Sequence, residues 1–378
     1  MDAAEFLRTY WQKKPCFIRN ADNNFQSFIS RDELFALACQ DKVESRLVLE
    51  IDGDIPWQVA HGPFQKEDFS NLPESHWALL VQNTDLHLPA ASSFLESFNF
   101  IPNWRIDDLM ISYAPENGSV GPHLDSYDVF LFQAMGKRRW SINNLDYDEN
   151  DFIEGLDLRV IENFIPEQEW FLEPGDMLYL PPNIAHHGVA LEECMTYSIG
   201  FRAPSNHEII SRYVDDLLYS EKEQRYTDPN LTVSAHSGEI SEKHLQDIVT
   251  FTKSIIPDEK KLEDWFGKFV TQLPENCQDE EITQYLDADS FFSLVQNKKY
   301  LLRCSASRTV FIRKNDFIIL FVNGESYTLP SSYEQFAFDF TEKHKFENPL
   351  INKNRLDPEL TILLCRFYNM GIINDGTD

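Results

Sequence analysis

Two potential metal ligands, His123 and Asp125, lie two residues apart in the segment Gly121-Pro122-His123-Leu124-Asp125. Side chains two residues apart on an extended segment point to the same side, because they alternate with period two. One imidazole and one carboxylate can therefore bind the same ion. A His-x-Asp pair also occurs by chance in many proteins, so it indicates a metal centre only if the chain supplies a further ligand.

A third ligand is available in the segment from Glu173 to His186, which has the pattern of a turn, an apolar strand, a proline-led turn and a histidine. Two histidines and one carboxylate on one face of a metal leave three positions open, the arrangement typical of non-haem Fe(II) oxygenases. The neighbouring His187 is the alternative third ligand. On a strand, only one of these two neighbours can face the metal.

Short strands separated by turns surround these residues between positions 108 and 202. Proline, glycine and asparagine mark the turns at 115–118, 173–176 and 181–183. Strands are predicted at 109–114, 128–135, 139–142, 176–180 and 195–201. Many short strands at such spacing indicate a β-sandwich or barrel.

Helical patterns lie on both sides of this β-rich segment. Helical spacing near the N-terminus is shown by Phe6, Leu7, Tyr10 and Trp11, and residues 33–39 predict a second short helix. After Pro204, Ser205 and Glu208 fit a capping box, in which each side chain caps the backbone N–H of the other. One face of the helix that follows carries Ile209, Ile210, Tyr213, Val214, Leu217 and Leu218.

The last hundred residues predict a separate small domain, after an acidic, polar linker at 274–283. A helix at 282–296 precedes strands at 300–302, 309–313 and 317–322. Asn323-Gly324 predicts a hairpin turn, because both residues tolerate positive φ. Asp357-Pro358 predicts the start of a final helix, as an N-cap followed by proline. Helices that flank a β-hairpin indicate a winged-helix-like domain.

The composition restricts the classes of function. With a formal charge of −29 over 378 residues, the chain repels phosphate backbones and attracts basic partners. No run of eighteen apolar residues predicts a membrane span, and the N-terminus lacks the pattern of a secretory signal, so we expect a cytoplasmic protein. The six cysteines are scattered singly, without a Cys-x-x-Cys pair, and are expected to be reduced and mostly buried.

The sequence resembles the JmjC (cupin) oxygenases, and within them the bacterial ribosomal oxygenases that hydroxylate an arginine of a large-subunit ribosomal protein. The His-x-Asp motif combined with the downstream Pro-Gly-Asp and histidine carries the resemblance to JmjC proteins. The longer blocks at 104–112, 121–130, 136–140 and 198–204 carry the resemblance to the bacterial group.

The resemblance implies an α+β fold with a mainly β core, a double-stranded β-helix (cupin/JmjC jelly roll). It implies an oxygenase domain at 1–204 with its jelly roll at about 108–202, a helical dimerisation region at 205–273 and the winged-helix-like domain at 282–378. A homodimer and a basic ribosomal protein substrate are expected, without direct binding of nucleic acid.

Residue by residue, the resemblance assigns the iron to His123, Asp125 and His186, and it favours His186 over His187 by spacing. Fe(II) is the expected metal, with 2-oxoglutarate and O2 as cosubstrates. Arg138, thirteen residues after Asp125, takes the distal carboxylate of 2-oxoglutarate, and Ser112 is a hydroxyl partner of the same group. An arginine β-carbon is the expected site of hydroxylation. Substrate-site residues are expected among Asp107, Asp108, Met110, Tyr127 and Asp128.

Two other functions stay open. A JmjC enzyme that acts on histidine, lysine or RNA would share every residue assigned to iron and cosubstrate. A non-catalytic cupin that serves as an interaction module would share the fold and form no succinate in response to substrate.

Overall fold

The computed structural model describes residues 2–51, 53, 56–156, 158–220, 222–233, 236–255, 259–273, 285–351 and 357–376. The predicted linker at 274–283 and Cys277 lie outside the described residues. The other five cysteines are free thiols, as predicted, and three of them are buried: Cys16, Cys194 and Cys365.

Eleven α-helices lie within the described ranges. They are α1 (Ala3–Thr9), α2 (Arg31–Ala38), α3 (Lys66–Ser70), α4 (Thr84–His87), α5 (Pro89–Leu95), α6 (Asn206–Ser220), α7 (Glu242–Ile255), α8 (Glu259–Phe269), α9 (Ala288–Val295), α10 (Glu334–Glu342) and α11 (Pro358–Asn369).

Eleven strands precede α6, and six more lie after α8 in the part of the chain that the structure describes. The first group is β1 (Cys16–Ile18), β2 (Ser45–Glu50), β3 (Trp57–His61), β4 (Trp77–Val81), β5 (Ile106–Ala114), β6 (Val129–Met135), β7 (Arg138–Asn143), β8 (Gln168–Leu172), β9 (Met177–Leu180), β10 (Ala185–Ala190) and β11 (Cys194–Phe201). The second group is β12 (Tyr300–Arg303), β13 (Thr309–Arg313), β14 (Phe317–Val322), β15 (Glu325–Pro330), β16 (Lys345–Glu347) and β17 (Ile373–Asn374).

Two antiparallel sheets form the core of the first two hundred residues. The larger has the strand order β1-β9-β6-β11-β5-β4-β2-β3, and the smaller has the order β10-β7-β8. Strand β6 shows how the layers form, since Phe130 and Phe132 pack with the N-terminal helices while Val129 and Leu131 pack with the smaller sheet. Alternation with period two lets one strand serve both layers. The predicted α+β class with a mainly β core is confirmed.

All five strands predicted between 108 and 202 are confirmed as β5, β6, β7, β9 and β11, with ends that differ by up to three residues. The predicted ranges did not include β8 and β10. Neither has the alternating β-branched pattern of a half-buried strand, because β8 is mostly exposed and β10 begins Ala-His-His-Gly. The N-terminal segment, predicted only as mixed, contributes β1 to β4 to the larger sheet.

The helical region begins as predicted. The backbone N–H of Glu208 donates to Ser205 Oγ at 3.0 Å, and α6 follows. One side of α6 contacts α8, where Trp265 Nε1 donates to Asp216 Oδ2 at 2.6 Å. None of the described helices is both long and apolar enough to cross a membrane.

The C-terminal region, residues 285–351 and 357–376, has its own apolar core. Asn323 and Gly324 have φ of 51° and 84° and join β14 to β15 by the predicted two-residue turn. Asp357 caps α11, as predicted, by accepting from the N–H of Leu360. Six strands form two three-stranded sheets here, β16-β12-β17 and β13-β14-β15. The winged-helix description stays a prediction.

Candidate functional site

His123 and His186 are joined through their backbones. His123 lies between β5 and β6, and His186 is the second residue of β10. The N–H of each donates to the carbonyl of the other, at 3.0 and 2.8 Å, which holds their ring centroids 4.2 Å apart. Asp125 is held beside them because its carbonyl accepts the N–H of Asn183 at 2.7 Å. Its Oδ2 lies 3.7 Å from His186 Nε2.

These three side chains form the one group of histidine, cysteine or acidic residues, in the described part of the chain, that could hold a metal ion. Their ligand atoms lie within 4.8 Å of one another. His123 Nδ1 is 3.0 Å from the carbonyl of Gly121, and His186 Nδ1 is 2.9 Å from that of Ile184. A carbonyl can only accept, so we assign the proton of each ring to Nδ1, which leaves Nε2 as the free donor atom for a metal.

The electrostatics of His186 fit a metal ligand. Burial, together with the nearby His123, lowers the pKa of His186 to about 4, although Asp125 acts in the opposite direction. The imidazole is therefore neutral at physiological pH, as ligation requires. His187 faces elsewhere, with Nε2 3.0 Å from Ser119 Oγ and its ring edge against Phe164. The structure thus brings His186, and not His187, to the cluster.

Arg138 lies on β7 and is only 3% exposed. Its Nη1 donates to Ser112 Oγ and Thr196 Oγ1, each at 3.2 Å, and its Nη2 to the carbonyl of Gly188 at 3.5 Å. Its Nε is buried without a partner. Burial lowers the pKa of the guanidinium, and no carboxylate among the described residues opposes that effect.

A buried cation without a counter-ion is unfavourable by several kcal/mol. Arg138 is therefore suited to an anionic ligand. Ser112 and Thr196 are register partners on β5 and β11, so their hydroxyls reach the guanidinium together. Thr196 Oγ1 in turn donates to Gln133 Oε1 at 3.1 Å.

Trp140 connects the guanidinium to the histidine cluster. It lies two residues after Arg138, on the same side of β7, with the Arg138 guanidinium carbon 5.1 Å from its ring and the His186 ring 5.8 Å away. Its register partner on β10 is Gly188, where an added Cβ would lie 2.6 Å from the indole. Only glycine leaves room for this ring, so Gly188 fixes one wall of the site.

All these groups open into one cavity of about 280 Å³. The histidine cluster, Arg138 and Ser112 are among its lining residues, and Ser112 lies four residues along β5 from Asp108, on the same face of the strand. Asp108 lines the same cavity together with Met110 and Tyr127. A larger cavity of about 610 Å³ lies against α7, but it contains none of the groups described above.

The carboxylate of Asp108 is held by one oxygen and open at the other. Oδ2 accepts from the N–H of Asn83 at 3.2 Å and from the amide of Gln82 at 3.0 Å, in the amide orientation that also accepts from Arg46. An added Cβ at Gly200 would lie 3.2 Å from Oδ1 and 3.6 Å from Tyr127 Cε2. Oδ1 therefore faces a slot beside the tyrosine ring.

The five residues predicted for substrate recognition fall into two groups. Asp108, Met110 and Tyr127 line the cavity. Asp128 is fully buried and accepts from Tyr179 Oη at 2.6 Å and from Gln12 Nε2 at 2.9 Å, and Asp107 Oδ1 accepts from Arg202 Nε at 3.0 Å. Neither of these two is among the lining residues.

Several residues of the cavity were not predicted from the sequence. They are Arg46, Gln82, Trp140, Ser198 and Gly200, together with Thr196, which does not line the cavity but contacts Arg138. For Trp140 a signal exists, since it lies two residues after Arg138 and shares its face of the strand. Thr196 and Gln82 are placed by pairing between strands distant in sequence, which no local pattern reveals.

Comparisons with known proteins agree with the site described above. The JmjC domain family matches residues 93–209. The ribosomal protein uL16 3-hydroxylase of Escherichia coli is 36% identical over 327 residues, covering 86% of this chain and 85% of that protein. A probable ribosomal oxygenase of Haemophilus influenzae is 32% identical over 317 residues, covering 79% and 77%.

A solved structure matches nearly the whole chain. YcfD, a ribosomal oxygenase from Escherichia coli, in complex with cobalt and 2-oxoglutarate, superposes with a TM-score of 0.81 at 32% identity, over 99% of this chain and 98% of that one. The predicted cupin/JmjC jelly roll is therefore confirmed.

Proposed function

Because the chain belongs to the family of JmjC ribosomal oxygenases, we propose that it is an Fe(II)- and 2-oxoglutarate-dependent hydroxylase of an arginine side chain in a large-subunit ribosomal protein. The observation that carries this proposal is the cluster of His123, Asp125 and His186 in one cavity with the buried, unpaired Arg138. The relative named for uL16 3-hydroxylation supports the choice of substrate class and reaction.

In this proposal the iron is held by Nε2 of His123, Nε2 of His186 and a carboxylate oxygen of Asp125. Two histidines and one carboxylate would suit a non-haem Fe(II) ion, for which this set of ligands is typical. With 2-oxoglutarate and O2 bound, the metal supplies an oxidative decarboxylation that releases succinate and CO2 and places one oxygen atom on the substrate carbon. The carbonyls of Gly121 and Ile184 keep both rings in the tautomer that binds metal.

The role of Arg138 is to bind the distal carboxylate of 2-oxoglutarate. Its guanidinium can donate to both oxygens of that carboxylate, and bidentate pairing also fixes orientation. Ser112 is proposed as a further hydroxyl partner of the same carboxylate, and Thr196 occupies the equivalent place on the neighbouring strand. Trp140 and Leu131 close the walls and exclude water.

At the other end of the cavity we assign the substrate guanidinium to the slot between Asp108 and Tyr127. A carboxylate with one free oxygen and an aromatic face together suit a planar cation. Met110 and Ser198 complete the lining of the slot. An arginine extended into this slot would present the carbons nearest its backbone toward the metal, in keeping with hydroxylation at the β-carbon.

The partners belong to the same proposal. A net charge of −29 favours association with a basic ribosomal protein, and direct binding of nucleic acid is not expected. A ribosomal substrate places the enzyme in the cytoplasm. The division into an oxygenase domain at 1–204, a helical region at 205–273 and a C-terminal domain at 282–378 is also part of this proposal.

We assign homodimer formation to the helical region. Its helices leave several large apolar side chains exposed to solvent in the single chain. Exposed apolar patches mark interaction sites. The exposed residues are Ile210, Val214, Leu218, Leu245, Ile248, Val249 and Leu262. Sedimentation should show a dimer for the native chain and a monomer for Leu218→Glu.

The decisive experiment incubates the enzyme with isolated ribosomal proteins, Fe(II), 2-oxoglutarate and O2, and searches them by mass spectrometry. One arginine of a large-subunit protein should gain a single oxygen atom, and the gain should be lost with Asp125→Ala. A gain on histidine or lysine instead would overturn the substrate assignment while keeping the oxygenase, and the same incubation with ribosomal RNA tests RNA as the substrate. Absence of succinate with every substrate would favour a non-catalytic module.

A further inference from the structure

Asp108 lies on a wall between two spaces. On one side is the catalytic cavity, which Asp108 lines. On the other side is a crevice of about 110 Å³ between the oxygenase core and the C-terminal region, lined by Asp85, Asp107 and Arg308. Strand β5, which carries Asp107 and Asp108, forms part of this wall.

Three carboxylates meet at this wall. Asp85 is buried, and its Oδ1 accepts from the N–H of Leu109 at 2.8 Å. Leu109 is the residue that follows Asp108 in the chain. Burial, with Asp85 and Asp107 as further causes, raises the pKa of Asp108 to about 7, and Arg308 acts in the opposite direction. Burial also raises the pKa of Asp85. Without a cation, such carboxylates would take up protons and lose their charge.

Arg308 is the cation that the C-terminal region brings to this cluster. Its Nη2 donates to the backbone carbonyl of Asp107 at 3.1 Å. Its own backbone is clamped by the β14–β15 turn, since its N–H donates to Asn323 Oδ1 at 2.9 Å and its carbonyl accepts from the N–H of Asn323 at 3.0 Å. Asn103 anchors the neighbouring strand by donating to the carbonyl of Thr309 at 3.0 Å.

We propose that Arg308 is a positioning residue of the substrate site, through which the C-terminal region favours the anionic form of Asp108, the form that binds a cationic side chain. This inference rests on the proposed role of Asp108 as the partner of the substrate guanidinium. It assigns a function to the C-terminal region within the reaction, although that region contributes no residue to the lining of the catalytic cavity.

The other charged groups around Asp108 either pair with another residue or raise the pKa of the Asp108 carboxyl group. Asp85 and Asp107 raise its pKa, and Arg202 pairs with Asp107 Oδ1. Arg46 reaches Asp108 only through the amide of Gln82. Tyr127, whose pKa is raised mainly by burial, stays neutral across the physiological range. Arg308 is thus the charged group, among those named here, that lowers the pKa of Asp108, with an effect smaller than that of burial or of the N–H of Asn83.

The test measures KM for an arginine peptide of the substrate as a function of pH, in the native enzyme, Arg308→Gln and Arg308→Lys. The peptide binds the ionised carboxylate, so KM rises as pH falls through the pKa of Asp108. A nearby opposite charge lowers the pKa of a carboxyl group, so the midpoint for Arg308→Gln should move to higher pH and KM below it should rise severalfold. Arg308→Lys should restore most of the native profile.

Two controls separate this effect from damage to the fold. Arg313→Gln removes an exposed arginine of β13 that pairs with Glu334, and it should leave the profile unchanged. Peptide-independent turnover of 2-oxoglutarate should stay within about twofold in every Arg308 variant, since Arg308 is not among the residues that line the cavity.

The outcomes also distinguish the proposed role of Arg308 from the proposed role of Asp108, on which it depends. If Asp108→Asn does not raise KM, the role of Asp108 in the proposed function fails. If Asp108→Asn raises KM independently of pH, but Arg308→Gln raises it equally at every pH or not at all, the inference about Arg308 fails alone. In the Asp108→Asn background, Arg308→Gln should add no further pH dependence.

Discussion

The two ends of the catalytic cavity carry opposite charges and are built in different ways. At one end, Arg138 is enclosed by neutral hydroxyls from strands of the same jelly roll. At the other end, Asp108 is held by the loop after β4 and backed by charges from α4 and the C-terminal region. The first end matches a small dicarboxylate, and the second matches a cationic side chain.

The difference shows how one cavity can separate cosubstrate binding, which is the same for every substrate, from the binding of the substrate side chain. An end made from adjacent strands is rigid, because ladder hydrogen bonds and packing fix each side chain. An end assembled from several regions depends on how those regions pack. Substitutions should therefore act on cosubstrate binding at the Arg138 end and on substrate selectivity at the Asp108 end.

The largest effect is expected where both ends meet, at the metal. Asp125→Ala or His186→Ala should abolish turnover of 2-oxoglutarate, because each would remove one of the three proposed metal ligands. His187→Ala is the matched neighbour and should retain activity, since His187 Nε2 faces Ser119. Succinate release and metal content measure both. An inactive His187→Ala beside an active His186→Ala would show that the assigned ligand is wrong by one residue.

The next largest effect is expected from a substitution that disrupts only the Arg138 end of the cavity. Arg138→Ala leaves the distal carboxylate of 2-oxoglutarate buried without its partner, which typically costs about 2–5 kcal/mol. The apparent affinity for 2-oxoglutarate should fall by roughly tens- to thousands-fold while metal still binds. Arg139→Ala is the control, because the half-exposed Arg139 side chain lies beside Glu169, with Nε 3.9 Å from Glu169 Oε1. A comparable loss in Arg139→Ala would contradict the orientation of β7 described above.

A smaller effect breaks the Asp108 end alone. Gly200→Ala places a methyl group 3.2 Å from Asp108 Oδ1 and 3.6 Å from the Tyr127 ring, which narrows the slot. One methyl group in such a slot is worth about 1–3 kcal/mol, so kcat/KM for the arginine peptide should fall by roughly 10- to 200-fold. Peptide-independent turnover of 2-oxoglutarate should be unchanged. Equal loss of both activities would mean that Gly200 supports the whole site rather than the slot.

The smallest effect concerns charge outside the cavity. If the net charge of −29 helps to capture a basic partner, rising salt should increase KM for the full-length substrate several-fold, because exposed charges are screened beyond a Debye length of about 8 Å at physiological ionic strength. The rate at saturating substrate should change little. A short arginine peptide should show a shallower dependence. Equal binding at low and high salt would mean that the net negative charge serves solubility and not the capture of a basic partner.

The sequence predicted the residues that meet at the histidine cluster and at Arg138 better than those that meet at the slot beside Asp108, for a physical reason. His123, Asp125 and Arg138 lie within one stretch of chain, where alternation along strands decides which side chains share a face. The slot at Asp108 depends on Gln82, Gly200 and Arg308, which meet only through pairing and packing between distant segments.

The same reasoning applies to the fold. Strands with alternating apolar residues were predicted within a few residues of their ends, and so was the hairpin turn at Asn323-Gly324. Strand β10 was missed as an element because its polar and small residues are selected by the site, by His186 for the metal cluster and by Gly188 for the Trp140 ring. Function overrides local strand propensity at these positions.

If the two ends of the cavity act together on an arginine, the enzyme should distinguish arginine from a neutral side chain of the same shape. Two peptides of identical sequence, one with arginine and one with the neutral isostere citrulline at the modified position, are compared for succinate release and for oxygen gain by mass spectrometry. The account predicts that the arginine peptide stimulates succinate release and gains one oxygen atom per succinate formed, while the citrulline peptide does neither at the same concentration. Equal hydroxylation of both peptides would contradict the account, because a cation-selective end at Asp108 would then have no part in the reaction.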